Sequence, residues 1–294
     1  MNAVKIAAVD IGSNAVRLLI NDVYENNGNT IFNKVTLIRV PIRLGKDVFS
    51  VGKISGYNIN RLSDTLNSFK LLLGVYQVND YIVCATSALR EAENGNEVID
   101  IIKERTGVNI ELISGKKEAE LILNFKLEQL FEPNKNYLFV DVGGGSTDIC
   151  FYNQKNKNIS ASFKVGTVRS LEGKVSKNET KKLKDWVQEI TKGIDIELIG
   201  SGGNINHVRR RFFEKEPDKI TTQELDSIYQ EIKKYSIQDR ITKFGMNPDR
   251  ADVIEPALEI YTSIANWADA KIIHIPKIGV ADSLIQYLYK KLKK

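Results

Sequence analysis

The stretch VDIGSNAVRLLI, residues 9–20, decides the fold because it recurs later in the chain as VDVGGGSTDICF, residues 140–151. Valine, aspartate and glycine keep their places in both copies, at a constant offset of 131 residues. Each copy ends an apolar run, makes a tight glycine turn and continues into a second β-rich run. A polar hairpin loop and a third strand follow each time. The sequence therefore predicts one β-meander built twice.

After each meander the apolar spacing changes to that of helices alternating with strands. This pattern is typical of a mixed sheet flanked by helices, so we predict an α/β fold of two similar domains with a cleft between them. The predicted boundary lies near residue 124, which gives domains 1–124 and 125–294. A final helix near 279–292 is an element that can pack back on the first domain.

Composition limits the class of protein. The chain has 294 residues, a net charge of +5, 42% hydrophobic and 27% charged residues, as expected of an ordinary globular protein. Its two cysteines are too few for a disulfide scaffold, so a reducing cytoplasm is the expected location. No apolar window is long enough to span a membrane. The whole net charge falls in residues 125–294, a weak indication of an anionic partner.

The two aspartyl–glycine turns are the strongest chemical signal. Successive backbone N–H groups of a glycine turn can bind phosphate, and a preceding aspartate can hold a divalent cation beside it. A single glycine turn is equally typical of any hairpin, but two matched copies with matched aspartates favour the binding function. The residues concerned are Asp10, Gly12, Ser13 and Asn14 in the first copy, and Asp141, Gly143, Gly144, Gly145, Ser146 and Thr147 in the second.

Three other segments are candidates. Gly202 and Gly203 form a turn between a strand and a helix, which suits either anion binding or packing. Arg90, predicted at a strand end, can grip phosphate or pair with Glu91 or Glu93. Glu118 lies in the first turn of a helix capped by Ser114. It is either a dipole-stabilised acid or a general base that orients water.

The remaining reactive residue types favour structural roles. The two histidines, His207 and His274, are too few to form a metal cluster. Cys84 and Cys150 lie in apolar strands and are expected to pack as small hydrophobic residues. The run at 209–211 is three arginines, interpreted as a solvated helix face rather than a polyanion site.

Five motifs in this order resemble the exopolyphosphatase/guanosine pentaphosphate phosphohydrolase (Ppx/GppA phosphatase) family in its short two-domain form. They are VDIGSNAVRLLI, ATSALREAENG, LISGKKEAELI, VDVGGGSTDI and IGSGGN, and PDRADVIEPALEI, residues 248–260, is similar to a later family segment. The resemblance covers nearly the whole chain. It implies two actin-like (ribonuclease H-like) domains of the sugar kinase, heat-shock chaperone and actin superfamily.

The resemblance also implies Mg²⁺-dependent release of terminal phosphate from polyphosphate or guanosine pentaphosphate. By position, Glu118 matches the catalytic glutamate and Asp141 the aspartate that works with it. The glycine turns and Arg90 match phosphate-side positions, Asp10 and Asp148 metal-side positions, and Arg17 and Arg250 basic positions. The chain departs from the family pattern at Lys117, where an acidic residue is usual, at Asp148, at Asn204 and at residues 280–282.

Other functions remain open at this stage. An ATP-dependent kinase of the same fold shares the glycine turns, and Lys116 and Lys117 beside Glu118 suit a protein that binds polyphosphate or an alarmone for regulation. A nucleic-acid partner is not expected, since the net charge is small and no RNA or DNA motif is present. The oligomeric state is open, with a homodimer as one option.

Overall fold

The computed structural model describes residues 3–26, 28–123, 132, 135–153, 159–215, 217–276 and 279–293. The chain divides into two compact units. Unit 1 comprises Met1–Phe125 with Val280–Lys294, and unit 2 comprises Lys126–Gly279. The predicted boundary near residue 124 lies outside the described residues.

Unit 1 is built on a five-stranded sheet with the order β3-β2-β1-β4-β5. The first three strands form the predicted antiparallel meander, and β4 and β5 then add in parallel to β1. Its elements are β1 (Val4–Ile11), β2 (Val16–Asn26), β3 (Asn29–Val40), α1 (Leu44–Val51), α2 (Gly56–Val75), β4 (Asp80–Ala85), α3 (Ser87–Glu91), α4 (Gly95–Thr106), β5 (Glu111–Leu112), α5 (Gly115–Leu123) and α13 (Val280–Leu292).

Unit 2 carries a six-stranded sheet with the order β10-β11-β9-β6-β7-β8. Strands β6, β7 and β8 repeat the antiparallel meander, and β9 pairs in parallel with β6 as β4 does with β1. Its elements are β6 (Asn136–Val142), β7 (Thr147–Tyr152), β8 (Ile159–Phe163), α6 (Thr167–Leu171), α7 (Lys177–Thr191), β9 (Ile196–Ser201), α8 (Gly203–Phe212), β10 (Lys219–Thr221), α9 (Thr222–Lys233), α10 (Ile237–Thr242), α11 (Pro248–Ala251), α12 (Ile254–Trp267) and β11 (Ile272–His274).

Each sheet has helices packed against it. In unit 1, α5 and α13 cover one face, where Leu121, Leu284 and Leu288 contact apolar side chains of β1, β2 and β4. In unit 2 the core is centred on α12, whose Leu258 and Ile264 are buried with strand residues from β6 and β9. The central strands are apolar on both faces, which explains the near-continuous hydrophobic runs seen in the sequence.

One predicted helix and one predicted strand end are corrected by the structure. The segment near 250–268 is two helices, α11 and α12, rather than one. Pro256 has no N–H and is tolerated only in the first turn, so the second helix starts at Ile254, two residues before it. Arg90 lies in the short helix α3, beyond the end of β4, and not at the strand end itself.

Candidate active site

The glycine turn of unit 1 joins β1 to β2 and is held from one side. The Gly12 N–H closes the turn on the Ala15 carbonyl at 3.1 Å. The Ser13 carbonyl accepts from the Gly45 N–H at 2.8 Å, and the Asn14 carbonyl accepts from the Arg43 N–H at 3.0 Å. In a trans peptide the N–H points away from the preceding carbonyl, so the amides that follow these two carbonyls face the opposite side.

Gly45 is required for this contact. A Cβ atom there would lie 2.8 Å from the Ser13 Cβ and 3.0 Å from the Ser13 carbonyl oxygen. The Ser13 hydroxyl is buried and makes a 2.8 Å hydrogen bond with the Ser87 hydroxyl. The amide N–H that follows the Ser13 carbonyl, and not the Ser13 side chain, is therefore a group that this turn can offer to an anion.

Asp10 is buried at the end of β1 and lies opposite Arg17 on β2. An Arg17 Nη1 donates to an Asp10 carboxylate oxygen at 2.7 Å, forming an ion pair. Asp10, predicted at a metal-side position, and Arg17, predicted at a basic position near the substrate, are thus brought together. This pairing compensates the buried charge of Asp10 within unit 1.

Glu118 is buried in the first turn of α5. The Ser114 hydroxyl accepts from the Lys117 N–H at 3.1 Å, which confirms the predicted helix start. The Lys117 ammonium lies 5.1 Å from the centre of the Tyr287 ring on α13. The part of the predicted helix beyond residue 123 lies outside the described residues.

Three carboxylates of unit 1 lie close enough to Cys84 to affect its thiol. Burial first, and then Glu111, Asp10 and Glu118, raise the pKa of the Cys84 thiol to about 12. The thiol is thus buried and protonated at neutral pH, as predicted for a packed cysteine. Arg90 reaches the residue that precedes Ser114: its Nη1 donates to the Ile113 carbonyl at 2.6 Å.

The glycine turn of unit 2 is held by hydrogen bonds within the turn and from the start of α6. The Gly143 N–H bonds the Ser146 carbonyl at 2.9 Å, as Gly12 bonds Ala15 in unit 1. The Gly143 carbonyl accepts from the Thr167 N–H. The Gly144 carbonyl accepts from the N–H groups of Val168 and Arg169. The hydrogen bonds to the Gly143 and Gly144 carbonyls come from the start of α6, and they direct the following amides away from it.

Arg169 and Gly166 complete this support, and the sequence analysis missed both. The Arg169 Nε donates to the Gly145 carbonyl at 2.7 Å. A Cβ at Gly166 would lie 2.5 Å from the Gly145 carbonyl carbon and 2.6 Å from the Ser146 nitrogen. The segment FKVGTVR, residues 163–169, carried the only signal, a glycine and an arginine immediately after the third strand of the repeat.

Asp141 and Asp148 are both buried and lie directly opposite each other on β6 and β7. Gly202, with a φ of 103°, lies against Asp141, and a Cβ there would be 2.8 Å from an Asp141 carboxylate oxygen. Burial, and then the charge of Asp141, raise the pKa of Tyr261, whose hydroxyl donates to the Ser201 carbonyl. Unit 2 therefore brings Asp141, Asp148 and the Gly202 turn together.

The donor set of unit 2 fits a magnesium ion. Two buried carboxylates in one register are a concentrated negative charge, and Mg²⁺ typically takes one or two carboxylates, completing its shell with water and phosphate oxygens. No group of three or more His, Cys, Asp or Glu side chains that could hold a metal occurs among the described residues. A site of this type relies on the substrate for its remaining ligands.

Arg250 supports the third glycine turn. Its Nη1 donates to the Gly203 carbonyl and, at 3.1 Å, to the Asn204 side-chain oxygen. Burial, and then Arg250, Arg210 and Arg211, lower the pKa of the nearby His207 to about 4. His207 is thus neutral at physiological pH and lies among positive charges.

One interpretation from the sequence is wrong for part of the arginine run. Arg209 is fully buried and reaches the Ile275 carbonyl and Asp218, so it is no part of a solvated face. Arg210 and Arg211 are exposed, as predicted.

A cavity of about 560 Å³ in unit 2 is lined by residues of α6, α9, α10 and α12. None of the predicted site residues lines this cavity. Within the described part of the chain, no helix is long and apolar enough to cross a membrane.

The repeated meander and its flanking helices define a two-domain actin-like protein, and solved structures agree. A Ppx/GppA protein from Aquifex aeolicus superposes with a TM-score of 0.77 at 20% identity, covering 100% of both chains. An exopolyphosphatase from Cytophaga hutchinsonii superposes with a TM-score of 0.80 at 22% identity, covering 98% of both. These identities are low, so the structures establish the fold.

The chain belongs to the Ppx/GppA phosphatase family, whose family model matches residues 23–291. It is 31% identical over 281 residues to the bifunctional 3-dehydroquinate synthase/phosphatase of Fusobacterium nucleatum, covering 84% of this chain and 41% of that protein. It is 29% identical over 177 residues to exopolyphosphatase 2 of Mycobacterium tuberculosis, covering 58% and 55%. The chain spans about half the length of these curated relatives.

Proposed function

We propose that this protein is a Mg²⁺-dependent phosphohydrolase that removes the terminal phosphate of inorganic polyphosphate, with guanosine pentaphosphate as the second candidate substrate. The observation that carries the proposal is the second glycine turn, whose Gly143, Gly144 and Gly145 carbonyls accept hydrogen bonds from α6 and which lies next to two buried carboxylates. Backbone amides and a cation-binding pair are the groups that a terminal phosphate needs. Membership of the family, with exopolyphosphatases among its named relatives, supports the same chemistry.

Each residue has a proposed role. The amides after Gly143, Gly144 and Gly145 would bind phosphate oxygens, and Asp141 and Asp148 would hold Mg²⁺. When bound, the ion neutralises charge on the phosphate oxygens and so favours attack by water. Glu118 accepts the proton of that water.

The remaining predicted residues serve the substrate. The amides after Ser13 and Asn14 offer a second anion-binding turn, and Arg90 and Arg250 contribute positive charge. Asp10 forms an ion pair with Arg17. The Asp141–Asp148 pair, which lies beside the second glycine turn, is the proposed primary magnesium site. Gly202 supports that pair because its missing Cβ leaves room for the Asp141 carboxylate.

The decisive experiment measures phosphate release from polyphosphate and from guanosine pentaphosphate, each with Mg²⁺ and with EDTA. We expect Mg²⁺-dependent release from at least one of them with no added acceptor. Release only when an acceptor alcohol is present would point instead to a kinase. Tight binding without release over hours would point to a regulatory binding protein, and either result would overturn the proposal.

A further inference from the structure

The guanidinium of Arg169 lies behind the second glycine turn and is almost completely buried, with 7% of the residue exposed. Its Nε donates to the Gly145 carbonyl at 2.7 Å. The carbonyls of Gly143 and Gly144 are held instead by backbone N–H groups at the start of α6. Within the described residues, Arg169 is therefore the side chain that completes the support of this turn.

The hydrogen bond to Gly145 fixes a whole peptide plane. Because the peptide is planar and trans, holding the Gly145 carbonyl on one side directs the Ser146 N–H to the other. Glycine has no Cβ to restrict rotation, so a plane between Gly145 and Ser146 needs an external contact to keep one orientation. Arg169 supplies that contact from a position that faces away from the amides.

In the corresponding turn of unit 1, a backbone N–H group rather than a side chain holds the peptide plane. There the Asn14 carbonyl, which matches Gly145 at the offset of 131, accepts from the Arg43 backbone N–H at 3.0 Å. Arg43 can make this contact because it adopts a left-handed conformation, with a φ of 63°. In unit 2 the donor is a side-chain nitrogen, so it can be changed by substitution.

We propose that Arg169 is a positioning residue: it orients the Ser146 amide toward a bound phosphate group without touching that group. The proposal rests on the proposed function, since it takes the turn to be a phosphate-binding turn. It assigns the effect to the hydrogen bond from Nε and not to the positive charge. Substitutions can separate these two contributions.

Two substitutions match the shape of the arginine stem. In Arg169→Gln the amide Nε2 is separated from Cβ by the same number of bonds as the arginine Nε, so the donor is kept and the charge is lost. In Arg169→Met the terminal methyl takes that place, so both are lost. Arg169→Lys keeps the charge but places its nitrogen one bond further out.

Binding of imidodiphosphate, a probe with a hydrolysis-resistant P–N–P bridge, is measured by calorimetry for all variants. We expect Arg169→Met and Arg169→Lys to weaken binding about tenfold, the scale of one lost positioning hydrogen bond, and Arg169→Gln to stay within about threefold of the wild type. In the phosphate-release assay the weak binders should show a raised KM with a smaller change in kcat. Arg209→Met removes an equally buried arginine of unit 2 and should leave the probe affinity unchanged.

Equal losses in the Gln and Met variants, or wild-type affinity in the Lys variant, would overturn the proposal. If Arg169→Met does not fold, the Gln and Lys variants still decide between hydrogen bond and charge. A wild-type protein that binds the probe but releases no phosphate would remove the proposed hydrolase function and leave the role of Arg169 testable. Failure of the wild type to bind would overturn both.

Discussion

Asp141 and Asp148 face each other across β6 and β7, in the register where the first copy of the repeat pairs Asp10 with Arg17. The same backbone thus carries an ion pair in unit 1 and two like charges in unit 2. Like charges directly opposite each other in a sheet are destabilising. A cation bound beside the two carboxylates would reduce that repulsion.

Asp148→Asn should therefore stabilise the protein in EDTA and abolish its response to Mg²⁺. We expect a gain of about 1 kcal/mol in the free energy of unfolding without the ion. Saturating Mg²⁺ at roughly a hundredfold excess over Kd should stabilise the wild type by about 2.7 kcal/mol, and the variant hardly at all. Thermal unfolding with and without Mg²⁺ measures both. Asp185→Asn, an exposed acid on α7, is the control, and an unchanged Mg²⁺ response in Asp148→Asn would exclude this carboxylate as a ligand.

Asp10→Asn should have the opposite effect on stability. The substitution leaves Arg17 without its charged partner, and we expect the free energy of unfolding to fall by about 1–2 kcal/mol. Urea unfolding of Asp10→Asn, Arg17→Met and the double variant measures the coupling. A coupling energy near zero would show that the ion pair contributes nothing to stability.

Glu118→Gln should reduce kcat for phosphate release about 100-fold or more while the protein stays folded, because general acid–base catalysis contributes at least this much. The measurement is the initial rate of release with polyphosphate at saturation, with circular dichroism as a check of folding. Glu120→Gln, two residues along α5 and so on a different face of the helix, should keep most of the activity. Normal turnover in Glu118→Gln would show that another group is the base.

Gly202→Ala tests the space beside Asp141. Its φ of 103° strains any residue with a Cβ, and that atom would meet the Asp141 carboxylate at 2.8 Å. Gly173→Ala is a matched control, since Gly173 also has a positive φ, of 64°, but nothing lies near its missing Cβ. We expect Gly173→Ala to lose about 1 kcal/mol through backbone strain. Gly202→Ala should lose more, about 1–3 kcal/mol, because its φ of 103° and ψ of 167° lie in a region that essentially only glycine adopts. Only Gly202→Ala should weaken Mg²⁺ binding. Equal Mg²⁺ affinities in the two variants would contradict this role.

His207 should make stability depend on pH between about 6.5 and 4. The pKa of the folded ring is lowered from 6.5 to about 4, so the unfolded chain takes up a proton before the folded one does. The stabilisation is therefore complete above pH 6.5 and is lost as the pH falls through 4. Because the ring is partly exposed, solvent screening limits the loss to about 1–2 kcal/mol. Urea unfolding of the wild type and His207→Gln at several pH values should show a flatter curve for the variant.

Much of the site follows from local sequence because a strand end, a glycine turn and the next strand are consecutive. The turns at Gly12 and Gly143 were predicted in this way, as was the start of α5 at Ser114. The roles of Arg169 and Gly45 could not be predicted from local sequence, because each donates a hydrogen bond to a turn more than twenty residues earlier in the chain. Their side-chain or backbone contacts exist only once the third strand has returned beside the turn.

The sequence by itself determined the duplicated meander, the helix-flanked sheets and the positions of the acidic and glycine residues. These follow from alternation and turn chemistry, which act over a few neighbouring residues. Only the tertiary structure decided that Asp10 is neutralised by Arg17 while Asp141 faces Asp148, and that Arg169 supports Gly145. The reason is that strand register and helix packing bring together residues that are distant in sequence, and those contacts set the charge and orientation of each group.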